Sequence, residues 1–115
     1  MKKEHHHQDR IIYLASPYTD PDPAIMEQRY LVVAKSIADL TLQGHLVFSP
    51  IVQFHSIAVA FDLPKNFGFY QKFNMAMLSR CDELAVLRLP GWKESVGVQN
   101  EIRMAGIWEM PIAYL

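Results

Sequence analysis

A second cysteine is missing from this chain of 115 residues, and with Cys81 alone no internal disulfide can form. Disulfide-stapled secreted scaffolds are excluded, and the expected compartment is the cytoplasm. An excess of one charge is lacking as well, because 11 Lys and Arg stand against 12 Asp and Glu for a formal net charge of −1. Nothing in that balance attracts a nucleic acid polymer. No apolar run is long enough to cross a bilayer and no secretory leader pattern is present, so no membrane partner is expected. What remains is a half-hydrophobic chain with enough residues for a single modest core. Small α/β domains often complete their burial and their sites by pairing, so a homodimer or higher homo-oligomer is expected.

Residues 1–10 are polar and without periodicity, and read as a disordered tail ahead of one domain spanning 11–115. Three consecutive histidines, His5 to His7, have no fixed geometry on such a tail, so no metal site is read there. Ile11 to Ala15 is a short β-branched and apolar run, the pattern of a buried strand. Ser16-Pro17-Tyr18 and the prolines at 21 and 23 stop it, since proline removes donors that a ladder needs. Ser16, Pro17 and Tyr18 thus fall at a strand's carboxyl end.

From Ala24 to about Gln43, apolar residues at Ile25, Tyr30, Val33, Ile37, Leu40 and Leu42 recur at helical spacing, up to Gly44. Leu46 to Phe48 follows as a second strand, closed by Ser49-Pro50. Such a crossover makes the two strands parallel. His45 opens that strand and reads as a packing residue, whereas His55 lies beyond its end, on the rim where a ligand would sit. Phe54 to Phe61 reads as a short helix in a segment placed where lids form. Phe67 to Ser79 is a further helix carrying Asn74 one turn from Tyr70, and Glu83 to Arg88 is the third strand.

Pro90 to Glu101 then forms a strand-to-helix turn leading into a helix from Ser95 to Trp108, and Pro111 to Tyr114 is a last strand. The alternation predicts an α/β, flavodoxin-like or Rossmann-like three-layer fold with a parallel sheet of about four or five strands. Ligands bind such folds outside the carboxyl ends of the strands, where unpaired helix N–H groups favour an anion. Ser95 is read as an N-cap and Gly97 as a position where a ligand approaches the backbone. Glu101, about one and a half turns in, is expected to stay ionised beside the helix dipole and is a candidate nucleophile. Ser16, Tyr18, Ser49, Trp92, Ser95 and Glu101 are expected within reach of one small ligand.

Three stretches carry a resemblance: Tyr13-Leu14-Ala15-Ser16-Pro17-Tyr18, Gly44-His45-Leu46-Val47-Phe48-Ser49-Pro50, and the run from Gly91 to Ile102 containing Ser95-Val96-Gly97-Val98-Gln99-Asn100-Glu101. The chain resembles the nucleoside 2-deoxyribosyltransferase-like superfamily, in particular its small bacterial and phage members. The resemblance implies action on an N-glycosidic bond without a cofactor, as in relatives that hydrolyse deoxynucleoside 5′-monophosphates. It implies Glu101 as nucleophile, Ser95, Gly97 and Val98 as phosphate contacts, and Ser16 to Tyr18 against the sugar or base. Tyr18 and Asn74 join Glu101 in the expected catalytic set, and Ser16, Pro17, Ser49, His55 and Trp92 join the expected substrate contacts.

The pattern departs at Asn74, where many active relatives carry an aspartate. An amide can hold a sugar hydroxyl but carries no charge. Two other readings therefore stand beside the enzyme: a nucleotide-binding sensor or sequestering protein that has lost turnover, and a structural subunit in which Glu101 is merely a helix carboxylate.

Overall fold

In the computed structural model, which describes residues 9–115, four strands and four helices alternate along the chain. They are β1 (Ile11–Ala15), α1 (Pro23–Leu42), β2 (Leu46–Phe48), α2 (Pro50–Phe61), α3 (Phe67–Ser79), β3 (Glu83–Val86), α4 (Val96–Ile107) and β4 (Ile112–Tyr114). All strand pairs are parallel, in the order β2-β1-β3-β4. The expected N-terminal tail with its histidine run lies outside the described residues, except that Arg10 pairs with Glu83 at 3.1 Å. No described helix is long and apolar enough to cross a membrane.

Strand alternation sorts the core into two layers. Tyr13 and Ala15 of β1 and Leu84 and Val86 of β3 point to one face, where Leu78 of α3 and Val98 and Ala105 of α4 cover them. Ile12, Leu14 and Ala85 point to the other, against Val33 of α1 and Ile51 of α2. The sheet is thus enclosed between two helix pairs, giving the three-layer flavodoxin-like fold.

Helix starts follow a common device. Asp22 caps α1 by accepting from Ala24 N, with Pro23 in the first helical position, and Ser49 caps α2 with Pro50 in the same role. Proline is suited to that position because the N–H it lacks would be unpaired there anyway. The Ser49-Pro50 step that closes β2 therefore also opens a twelve-residue helix, longer than the expected Phe54 to Phe61 segment. That helix is part of a packed layer beside α1 and not a detached lid. At the end of α1, Gly44 adopts φ +92°, which suits glycine just past a helix, and His45 N returns to Leu40 O at 3.0 Å. On α1 the buried stripe runs through Met26 and Val33, whereas Leu42 is exposed.

From β2 the chain passes along α2 on one face, then through residues 62–66 to α3 on the other. Asp62, in the left-handed region at φ 53°, ends α2, and its N–H donates to Ala58 O. This change of layer brings the connection against the carboxyl ends of the strands, next to the point between β1 and β3 where the strand order reverses. Doubly wound sheets open a crevice at such a point.

Candidate functional site

A cavity of about 700 Å³ occupies that crevice. Its walls come from the loop after β1 (Ser16, Pro17, Tyr18), the inner side of α2 (Phe54, His55), the 62–66 connection, α3 (Tyr70, Asn74) and the first turns of α4 (Ser95, Gly97, Glu101). Both helix layers therefore contribute, and the volume suits a small-molecule ligand.

Glu101 is the best-buried charged side chain in it, at 4% exposure. The Tyr13 hydroxyl donates to Glu101 Oε2 at 2.5 Å. Burial pushes the Glu101 pKa up to about 7, and the Tyr13 hydrogen bond pulls in the opposite direction without offsetting it. The helix dipole, expected to help keep the carboxylate ionised, is outweighed by this burial. Helix-dipole stabilisation is worth about 0.3–1 kcal/mol and desolvation of a buried carboxylate several times that. A carboxyl group poised near neutrality can serve as nucleophile once ionised, or as acid while protonated.

Asn74 faces the same space. It is 7% exposed, and its Oδ1 is buried without a hydrogen-bond partner among the described residues. A buried acceptor left unpaired costs about 1–3 kcal/mol. Its helix is tied to that of Glu101 through the adjacent residues, Asn100 Nδ2 lying 3.5 Å from Met75 Sδ.

On the opposite wall, the Tyr18 hydroxyl lies 2.6 Å from His55 Nδ1, and His55 Nε2 lies 2.7 Å from Glu27 Oε1. Tyr30 stacks on the imidazole with centroids 4.4 Å apart, and the Tyr18 ring meets it edge-on at 5.6 Å. Burial raises the Tyr18 pKa, with smaller contributions from Tyr70 and from the Glu27 charge. Ser16 is buried in the lining of the same cavity, its Oγ donating to Pro17 O at 3.1 Å.

Ser95 caps α4 as expected, its Oγ accepting from Val98 N at 3.2 Å, and the residue also borders the cavity. Gly97 has a neighbour that sequence did not suggest. A Cβ there would stand 3.0 Å from Phe67 Cδ1, so the glycine makes room for an aromatic ring of this same chain. Three expected contacts fall outside the cavity wall. Val98 is in the core at 1% exposure, Ser49 spends its hydroxyl on Ile51 N and Val52 N, and Trp92 packs on Tyr114 with ring centroids 5.9 Å apart. The neighbours Pro50 and Gly91 line the cavity instead of Ser49 and Trp92.

Sequence reading missed Tyr13, Arg29, Glu27, Lys65 and Phe67. Tyr13 was within reach of it: strand parity places residues 13 and 15 on one face, and the last helix covers that face. Arg29 donates to the carbonyls of Tyr18 and Thr19 at 3.2 and 3.1 Å and to Pro90 O at 3.4 Å, joining the loops after β1 and β3. Nothing in the sequence around a helical arginine announces that task. Among the described residues, no three His, Cys, Asp or Glu side chains gather into a group able to hold a metal ion.

Comparison with curated proteins finds no match for the chain. A family description does match, over residues 10–114, which takes in every strand, every helix and the whole cavity wall. The chain accordingly belongs to the family described as "Domain of unknown function (DUF1937)".

Proposed function

We propose that the protein cleaves the N-glycosidic bond of a nucleoside or nucleotide, by hydrolysis or by transfer to another base, with Glu101 as nucleophile. The observation that carries this reading is a buried carboxyl group held by Tyr13, opening into the same cavity as the loop after β1. The glycosidic bond breaks through an oxocarbenium-like state, which an adjacent carboxylate stabilises and then traps as a sugar ester. Aromatic walls at Phe54, Phe67 and Tyr70 suit a base, and the α4 N-terminus with Ser95 suits a phosphate. Asn74 lines the same cavity, where an amide suits a sugar hydroxyl. The reading carries with it a cytoplasmic homo-oligomer that acts on small nucleotides rather than polymers.

Incubation with a panel of nucleosides and 5′-monophosphates, followed by chromatography of free base, tests it. Release from at least one substrate is expected, and Glu101→Gln should abolish release while retaining binding. No base from any substrate would sink the enzyme reading. A thermal-shift response to nucleotides without turnover would favour a sensor, the reading that the uncharged amide of Asn74 supports.

A further inference from the structure

Cleavage of an N-glycosidic bond leaves a base that must take up a proton, and Glu101 has none to give while it forms an ester. The structure holds a second polar device in the wall facing it. Tyr18, His55 and Glu27 form a chain with links of 2.6 and 2.7 Å, running from the cavity to the outer side of α1. His55 is 5% exposed and fixed between two aromatic rings, while Glu27 is half exposed at the surface of α1. Both ring nitrogens of the buried imidazole are thereby partnered, one toward the cavity through Tyr18 and one toward solvent through Glu27.

From this geometry we infer that Tyr18, His55 and Glu27 are a proton relay serving the leaving base, with Tyr18 as the donor to it, His55 as the reservoir and Glu27 as a positioning residue. The inference rests on the glycosidase reading above. A carboxylate only accepts, so Nε2 of His55 carries a hydrogen toward Glu27 in either charge state, and the second proton is the one on Nδ1. When His55 is an imidazolium, Nδ1–H donates to the Tyr18 oxygen and frees the phenolic hydrogen for the cavity. When His55 is neutral, Nδ1 accepts from Tyr18 instead.

The step balances without any further reactant. The Glu101 carboxylate forms a bond to the anomeric carbon as the carbon–nitrogen pair departs with the base. The base nitrogen takes the Tyr18 hydrogen, Tyr18 takes that of Nδ1, and His55 is left neutral on Glu27. When water opens the ester, the electron pair returns to Glu101 and the water's proton returns through Tyr18 to Nδ1.

The test compares leaving groups in a single turnover. One substrate is the nucleoside 5′-monophosphate most readily cleaved by the wild type, and the other is the 4-nitrophenyl glycoside of the same sugar phosphate, whose leaving group departs without a proton. With the nucleotide, Tyr18→Phe should slow the first turnover by about 100-fold or more and Glu27→Gln by about tenfold. With the nitrophenyl substrate both variants should stay within about threefold of wild type, while Glu101→Gln loses both activities. Equal losses on the two substrates, or no loss on either, would overturn the relay. A wild type inert toward both substrates would overturn the glycosidase reading, and the relay with it. Glu27 is an exposed helix residue, so its variant keeps the comparison open should Tyr18→Phe fail to fold.

Discussion

The hydroxyl of Tyr13 reaches 2.5 Å to Oε2 of Glu101, linking the middle of the first strand to the second turn of the last helix. Neither partner has ready access to water. Burial, together with the neighbouring carboxylate, raises the phenol's pKa far above its usual value, so Tyr13 stays a donor at any working pH. The hydrogen bond favours the ionised form of Glu101, while burial favours the neutral form more strongly.

Tyr13→Phe should therefore push the Glu101 pKa higher still, because the one contribution that lowers it is gone. A hydrogen bond to a charged group is worth about 1.5–3 kcal/mol, so the rising limb of the pH–rate profile should move up by about one to two pH units. In the wild type that limb should be centred near pH 7. Base release measured from pH 5 to 9 checks both. An unshifted limb in the variant would separate the phenol from the carboxyl group's titration.

The same group makes stability depend on pH in the opposite sense to an ordinary salt-bridged carboxylate. Folded Glu101 keeps its proton up to about pH 7, whereas in the unfolded chain it is released near the ordinary value of 4.5. Between those values the folded state binds more protons, so the contribution of this group to stability falls as pH rises. It is intact below about 4.5 and is lost by about pH 7, a difference of roughly 3 kcal/mol. Glu101→Gln removes the titration, so the variant should gain in melting temperature relative to wild type on going from pH 5 to pH 8. Parallel melting curves for the two proteins across that range would contradict the burial assigned to the carboxyl group.

Strand positions were legible in the sequence because parallel, doubly covered strands read as short apolar runs, and those at Ile11 to Ala15 and Leu46 to Phe48 fall where expected. The fold class followed from their alternation with amphipathic helices. The extra length of α2 was hidden because Ser49-Pro50 serves at once as strand end and helix start. Within the site, chain position placed Ser16, Tyr18, Asn74, Ser95 and Glu101 around one cavity, since each sits at a strand end or on a helix facing one. It misplaced Trp92 and Ser49, because a neighbour in sequence can point to the other side of a turn. Contacts between layers, such as His55 to Glu27, depend on which helices pack together, and no local pattern encodes that.

The contact between Gly97 and Phe67 gives a packing prediction with a sign that depends on background. Alanine favours a helix over glycine by up to about 1 kcal/mol, but its Cβ would lie 3.0 Å from the Phe67 ring. Gly97→Ala alone should be neutral or destabilising by about 1 kcal/mol, and in a Phe67→Leu background it should be stabilising. Denaturant melts of the four proteins give the coupling energy directly. Simple additivity would show that the ring does not rest on the glycine in solution.

Asn74 separates stability from ligand binding. Its Oδ1 is buried with no partner among the described residues, so Asn74→Leu, similar in size and without a polar atom, removes a standing cost and should raise stability by about 1 kcal/mol. If the amide on the cavity wall holds a sugar hydroxyl, the same change should weaken substrate binding by about tenfold or more, since the hydroxyl would then be desolvated against an apolar group. The two effects have opposite sign, which a purely structural asparagine would not produce. Thermal melts of the free protein and a KM or thermal-shift titration with the preferred nucleotide measure them side by side. A variant that is less stable and binds as well as wild type would mean that the amide is a core residue with a partner of its own, and the sugar would have to be held elsewhere in the cavity.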